Sequence, residues 1–219
     1  IDTRLLEPKP TAKFALPSGK ILTRDDEVIT FVSRSLEPYR VFHIFMRALP
    51  KILEERPRAQ VVIAGSEGVS YGAHPPGNTT WKSLFCEEVL PQLTPTQHQR
   101  VHFCGHTEYA QFISLLQVSR AHVYLTYPFV LSWSLLEAMS VGCCIVASDT
   151  APLQEVIKNE VTGQLVDFFD PRALAVAVID LLANDGMRTQ LGNAAREFAV
   201  QNYDLTRVCL PQQTKWALD

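Results

Sequence analysis

The sequence predicts an α/β domain, a parallel sheet with helices on both faces, and three observations carry that expectation. Val28 to Ser33 (VITFVS) is a near-continuous β-prone run, as a strand buried on both faces requires, and Ala121 to Thr126 and Cys143 to Ala147 are further apolar strand candidates. Between such runs lie segments with apolar residues at helical spacing, so that strand, helix and strand recur at the distance of a right-handed βαβ unit. The chain of 219 residues is long enough for one well-buried domain, whereas two would strain its length.

In chain order, residues 1–27 are rich in Pro, Lys and Asp. They read as a linker, an N-terminal extension or a small hairpin, in which Lys20 to Thr23 is a weak strand. Val28 to Ser33 opens the sheet. Arg40 to Glu55 repeats apolar residues at helical spacing, and Pro50 inside it predicts a kink or restart. Gln60 to Ala64 is the second strand, ending at Gly65. Residues 66–80 form a long polar connection with Gly68, Gly72, Pro75, Pro76 and Gly77, and loops of this length in compact domains are usually functional or mobile. Trp81 to Leu93 predicts a helix, Val101 to Cys104 a short strand, Glu108 to Val118 a helix, and Ala121 to Thr126 a strand.

After the Cys143 to Ala147 strand come a short helix over Pro152 to Lys158 and a last strand over Gly163 to Asp167. Asp170-Pro171 is a helix start, an acceptor at the cap followed by proline at the first helical position. Met187, Leu191, Ala194 and Phe198 mark a further helix. Residues 201–219 read as a terminal helical segment interrupted at Pro211, which sets the domain proper at residues 28–200.

Composition narrows the function classes. A net charge of −3 and a pI near 6.1 supply no electrostatic footprint for nucleic acid or for an anionic membrane. No run is long and apolar enough to span a bilayer, and no leader resembles a signal peptide, so the expectation is a cytoplasmic protein, with membrane-peripheral contact through a further segment left open. Five cysteines without C-x-x-C spacing predict reduced, mostly buried thiols. His102, Cys104 and His106 alternate, but a buried strand explains the first two and His106 falls past Gly105, so no metal is expected. The absence of G-x-G-x-x-G, Walker, H-E-x-x-H and G-x-S-x-G patterns disfavours a dinucleotide oxidoreductase, a P-loop ATPase, a zinc protease and an α/β-hydrolase.

The stretch that organises the chain is residues 125–150, LTYPFVLSWSLLEAMSVGCCIVASDT. It reads as strand end, loop, helix and strand, and the loop between Tyr127 and Ser134 falls where ligands sit in open parallel sheets, beyond the carboxyl ends of the strands. Ser132 or Ser134 can cap the helix. Glu137 has two readings: the carboxylate of a Ser134–Glu137 capping box, or an acceptor for the paired hydroxyls of a ribose. Arg34 and Arg40 follow the first strand and suit a diphosphate, because planar guanidiniums bind oxygens bidentately; the alternative is two solvated loop arginines, one paired with Glu37.

Residues 135–157, LLEAMSVGCCIVASDTAPLQEVI, resemble the signature of the GT4-like retaining glycosyltransferases, the group 1 glycosyl transferases with the two-domain GT-B fold. Members commonly carry E-G-F-G-x-x-x-L-E-A-M-A-x-G-x-P-V-V-A-T-D, then a Gly-rich turn and P-E-V. The resemblance extends over about residues 28–200. It implies a Rossmann-like half of a GT-B fold that binds a UDP- or GDP-linked nucleoside diphosphate sugar without a metal ion or other cofactor. Glu137 matches the glutamate that holds the ribose, and Leu131, Ser132 and Trp133 stand at the helix start that faces the diphosphate. Arg34 matches the family's arginine in G-R-x-x-x-x-K-G, and Arg40 stands in for its lysine with one extra residue between. Gly65 and Gly105-His106-Thr107 match positions around the base, and Glu155 lies in the P-x-E-V segment, where the alternative is a carboxylate in the first turn of its own helix.

One position departs from the pattern. Eight residues before Glu137 the family's first glutamate, which contacts the donor sugar, is Phe129 here, followed by Val130-Leu131-Ser132 in place of Gly-Phe-Gly. Phe129 and Val130 therefore lie in the donor-sugar vicinity without its carboxylate. The family's Ile-Asp pair after the interdomain strand matches Ile1-Asp2, which implies a C-terminal donor-binding fragment whose acceptor site, for a glycan, lipid or small molecule, and whose catalytic groups lie on a missing N-terminal half. Such a fragment is expected to be inactive alone. Two other classes stay open: a non-catalytic nucleotide-binding or scaffold module, and a sugar-nucleotide epimerase-like domain.

Overall fold

The computed structural model describes residues 1–218. An antiparallel hairpin of β1 (Lys13–Ala15) and β2 (Ile21–Thr23) precedes β3 (Val28–Ser35), α1 (Phe42–Glu55), β4 (Gln60–Ser66), α2 (Trp81–Val89), α3 (Pro95–His98) and β5 (Val101–Gly105). Then follow α4 (Tyr109–Val118), β6 (Ala121–Tyr124), α5 (Trp133–Ser140), β7 (Ile145–Ser148), α6 (Ala151–Gln154) and β8 (Gln164–Val166). Three helices close the chain, α7 (Pro171–Ala183), α8 (Asp185–Tyr203) and α9 (Leu210–Leu218).

The main sheet has strand order β5-β4-β3-β6-β7-β8, and every neighbouring pair is parallel. The chain steps outward from β3 to β4 and β5, returns through α4, and enters β6 on the other side of β3. Because right-handed crossovers run in opposite directions from these two central strands, their loops diverge and leave a crevice at their carboxyl ends. The predicted doubly covered parallel sheet is the one observed.

Burial on both faces explains the apolar strands. Helix α1 buries Phe42, Ile44, Phe45, Met46, Ala48, Leu49, Ile52 and Leu53, packs against α7, and stacks Phe45 on Phe31 of β3 with ring centroids 4.8 Å apart. Each of these side chains larger than alanine contributes about 1.5–3 kcal/mol relative to exposure. On the opposite face α5 packs against α8, and the hairpin lies against α4 with Phe14, Leu16 and Leu22 buried. The α5–α8 contact depends on two glycines: a Cβ added at Gly192 would sit 2.5 Å from the carbonyl oxygen of Gly142.

Several expected boundaries shift, each for a local reason. Helix α1 runs through Pro50 without the restart that was one of the two expectations there, because buried side chains on both sides of the proline hold the two halves on one surface. It also starts at Phe42 rather than Arg40, since Val41 takes a left-handed conformation (φ 56°) that closes a 3₁₀ turn over Pro38–Arg40. The helix expected over Trp81 to Leu93 is α2 followed by a 3₁₀ turn at Leu90–Gln92, where Pro91 supplies no N–H. The terminal segment breaks at Asp204, which caps a π-helical turn over Leu205–Cys209, and Pro211 lies harmlessly in the first turn of α9. Asp170 caps α7 as expected, accepting from the N–H groups of Arg172 and Ala173. Among the described residues all five cysteines are free thiols, and no helix is long and apolar enough to cross a membrane.

Candidate functional site

The crevice between β3 and β6 gathers many of the residues singled out in the sequence. On one side, β3 ends at Ser35 and the chain turns through Glu37, Tyr39 and Arg40. On the other, β6 ends at Tyr124 and the loop through Tyr127, Phe129 and Val130 leads into α5. The Arg40 guanidinium lies over the rings of Tyr71 and Phe129, 5.1 and 5.6 Å from their centroids, and its Nε is buried without a hydrogen-bond partner. Arg34 is exposed on the same rim, and neither arginine joins an ion pair among the described residues.

Glu37 is therefore not the partner of either arginine. Fully buried, its carboxylate accepts from the backbone N–H groups of Ser70 (3.2 Å), Tyr71 (3.3 Å) and Gly72 (3.1 Å), which ties the long polar connection to the rim. That tether brings Tyr71 against Phe129 and Tyr39 and so completes the aromatic bed of Arg40. Aromatic contacts continue from Tyr39 through Tyr127 to Phe168 and Phe169, just beyond β8. Sequence reasoning missed Glu37, Tyr39 and Tyr71 as parts of the site; the density of polar and turn-forming residues in 66–80 was the available signal.

At the entrance to α5, Ser132 is the cap: its Oγ accepts from the Ser134 N–H at 3.1 Å. The Ser134–Glu137 capping box does not form, because Ser134 already lies inside the first turn and Glu137 in the second. Burial pushes the Tyr124 phenol up, opposed by the Ser132 hydroxyl and the Arg40 guanidinium; Arg40 reaches the loop before α5 through the Phe129 ring. Leu131 is partly buried, while Val130 and Trp133 project at 70% and 77% exposure.

Glu137 is 8% exposed and accepts from the Tyr109 hydroxyl at 2.8 Å. Burial raises its carboxyl above the ordinary value and the Tyr109 hydrogen bond opposes the rise. Glu137 thus meets the first residue of α4; in the turn between β5 and that helix Gly105 takes φ +65°, His106 is exposed and Thr107 Oγ1 is buried without a partner. Gly65 is the penultimate residue of β4, on the same edge of the sheet; a Cβ there would lie 2.6 Å from the Ser33 carbonyl oxygen, so β3 and β4 approach too closely for a side chain. Glu155 is exposed and follows the carboxyl end of α6, which corrects the expectation of a first-turn carboxylate.

The other candidates resolve as structure. His102 Nε2 bonds Gln60 Oε1 at 3.0 Å, and no cluster of three metal-ligating side chains occurs among the described residues. A cavity of about 420 Å³ opens at the opposite, amino end of the strands, lined by Arg24, Arg120, Cys144, Asp185 and Arg188 among others. Two of its arginines are spent on the fold: Arg120 donates to the carbonyls of Arg24 and Asp25, and Arg188 to those of Leu181 and Leu182 and to Asp185. By strand order the topological switch point lies between β3 and β6, the position at which open α/β sheets bind ligands.

Comparison with known proteins agrees with this fold. The chain is 28% identical to spore coat protein SA of Bacillus subtilis over 196 residues, covering 83% of this chain and 46% of that protein. It is 28% identical over 182 residues to the phosphatidyl-myo-inositol mannosyltransferase of Mycobacterium leprae, covering 81% and 43%. It thus spans somewhat less than half the length of these curated relatives. Among solved structures, the C-terminal domain of a glycosyl transferase group 1 family protein from Francisella tularensis superposes with a TM-score of 0.76 at 15% identity, covering 94% of this chain and all of that one. An Anabaena protein crystallised with UDP and glucose superposes at 0.73 with 19% identity, covering all of this chain and 55% of that one. These likenesses identify the fold as the Rossmann-like half of a GT-B architecture. The family model described as glycosyl transferases group 1 matches residues 18–198, and the chain belongs to that family.

Proposed function

We propose that this chain is the donor-binding domain of a retaining, metal-independent glycosyltransferase, which transfers a sugar from a UDP- or GDP-linked nucleoside diphosphate sugar to an acceptor. The observation that carries the reading is Arg40, with a buried Nε lacking an acceptor, lying over Phe129 in the loop that leads into the capped start of α5. A guanidinium and the amides of a helix start stabilise a departing diphosphate as its charge develops, which is work a metal would otherwise do. In this reading Arg34, Arg40 and the backbone at Leu131, Ser132 and Trp133 take the diphosphate, Glu137 the ribose, and Gly65, Gly105, His106 and Thr107 border the base. Phe129 and Val130 flank the glycosyl group.

The acceptor, and the catalytic groups facing it, belong in this reading to the rest of the enzyme. The 219-residue chain alone should bind nucleoside diphosphates weakly and turn nothing over. Calorimetric titration of the chain with UDP and GDP, beside assays of the full-length enzyme on a panel of nucleotide sugars with product stereochemistry read by NMR, tests each part. Heat with neither nucleotide, or inversion at the anomeric carbon, would defeat the corresponding claim.

A second reading, a binding or scaffold module without transfer chemistry, is favoured by Phe129. Its ring lies under Arg40 where the family pattern has a carboxylate for the sugar. It predicts no transfer by the full-length protein with any donor.

A further inference from the structure

Tyr109 occupies the first position of α4, just past the Gly105-His106-Thr107 turn, and donates its hydroxyl to Glu137 Oε1 at 2.8 Å. The two residues are 28 apart in sequence, and no motif links them. It is the only hydrogen bond of the Glu137 side chain among the described residues. A carboxylate has two oxygens and about four acceptor positions, so one phenol leaves Oε2 and part of Oε1 available. Burial has already removed most of the water that would otherwise hold the group. The phenol is pushed up to about 12, chiefly by burial, and so remains a donor at neutral pH.

We infer that Tyr109 is a positioning residue for nucleotide recognition: its hydroxyl fixes the rotation of the Glu137 carboxylate before a ligand arrives, so that the vicinal hydroxyls of a ribose meet an oriented acceptor. This rests on the reading of Glu137 as the ribose-binding group. The glutamate's rotamer freedom is surrendered in the free protein rather than on binding, so the nucleotide does not bear that loss. The Tyr109 ring packs against Phe112 with centroids 6.1 Å apart, and that contact does not need the hydroxyl. Packing and orientation are therefore separable by Tyr109→Phe.

The experiment titrates the 219-residue chain with UDP and 2′-deoxy-UDP, and with GDP and 2′-deoxy-GDP, in wild-type, Y109F, E137A and double-variant forms. The ratio of ribose to deoxyribose affinity is the readout, because a purely structural role for Tyr109 would weaken both nucleotides alike. The wild type should favour the ribonucleotide about tenfold or more, as expected for a hydrogen bond to a charged group. E137A should bring the ratio near one, Y109F should lower it several-fold, and the double variant should match E137A. Preference abolished in E137A but intact in Y109F overturns this inference alone. Absence of ribose preference in the wild type, or of binding in both series, overturns the ribose reading and this inference together. Thermal melting of Y109F, whose residue is 59% exposed, confirms that each variant is compared in its folded form.

Discussion

Acidification should destabilise this domain through one histidine at the centre of its sheet. His122 lies on β6, hydrogen-bonded between β3 and β7, is 1% exposed, and shares its Nδ1 with the Thr30 hydroxyl at 2.9 Å, which in turn meets Ser119 Oγ at 2.8 Å. Burial lowers its pKa from 6.5 to about 4, because the imidazolium would have to form in the dry interior. Above pH 6.5 the ring is neutral in both folded and unfolded chains and leaves stability unchanged. As pH falls through 6.5 the unfolded chain gains a proton that the folded one refuses, and stability drains until the folded ring titrates near 4. A tenfold change in proton affinity is worth about 1.4 kcal/mol, so this residue's limit is about 3 kcal/mol, most of it spent by pH 4.5. The assay is urea unfolding of wild type and His122→Asn at pH 7.5 and 4.5, the asparagine leaving a polar atom close to the position of Nδ1. Other titrating groups, including His43, are common to both proteins and cancel. Wild type should lose roughly 2–3 kcal/mol more than the variant between the two pH values. Equal losses would refute the argument.

Gly65→Ala should cost about 1–3 kcal/mol in urea unfolding, because the new methyl would meet the Ser33 carbonyl at 2.6 Å and Leu36 Cδ2 at 2.9 Å. Arg56→Ala should cost about 3 kcal/mol, since it strips the near-buried Glu27 carboxylate of its 2.6 Å partner and leaves the Leu182 carbonyl without its donor. Arg58→Ala, at a side chain 85% exposed on the same carboxylate, should stay within about 0.5 kcal/mol. Glu37→Gln should speed hydrogen exchange at Ser70, Tyr71 and Gly72 by about tenfold or more, as expected when a charge-assisted bond is lost, and unchanged exchange would mean that the connection is held by other contacts.

The sheet was legible because its signal is physical and local: strands buried on both faces read as near-continuous β-prone runs, and Val28 to Ser33 does so. Caps were legible for the same reason, as at Asp170, whose carboxylate has no other job nearby. Glu137 shows where locality ends. Its spacing from Ser134 fits a capping box, yet the cap is Ser132, and the carboxylate is left to a tyrosine from another helix. Nor could the pattern reveal that Glu37 would bind backbone from residues 70–72 rather than a neighbouring arginine, because that choice is made by how the long connection folds back. The strand ends that position Arg40 and Ser132 were thus foreseeable; the partners that orient the side chains were not.

The Glu37 tether has a mechanical corollary. One side chain from the 3₁₀ turn region anchors a stretch of polypeptide that has no strand or helix of its own between Ser66 and Trp81, and the same turn carries Arg40 onto Tyr71 of that stretch. Cation and covering chain are consequently geared to each other. The one turn therefore holds that stretch twice, through the Glu37 carboxylate on its backbone and through the Arg40 guanidinium on the Tyr71 ring.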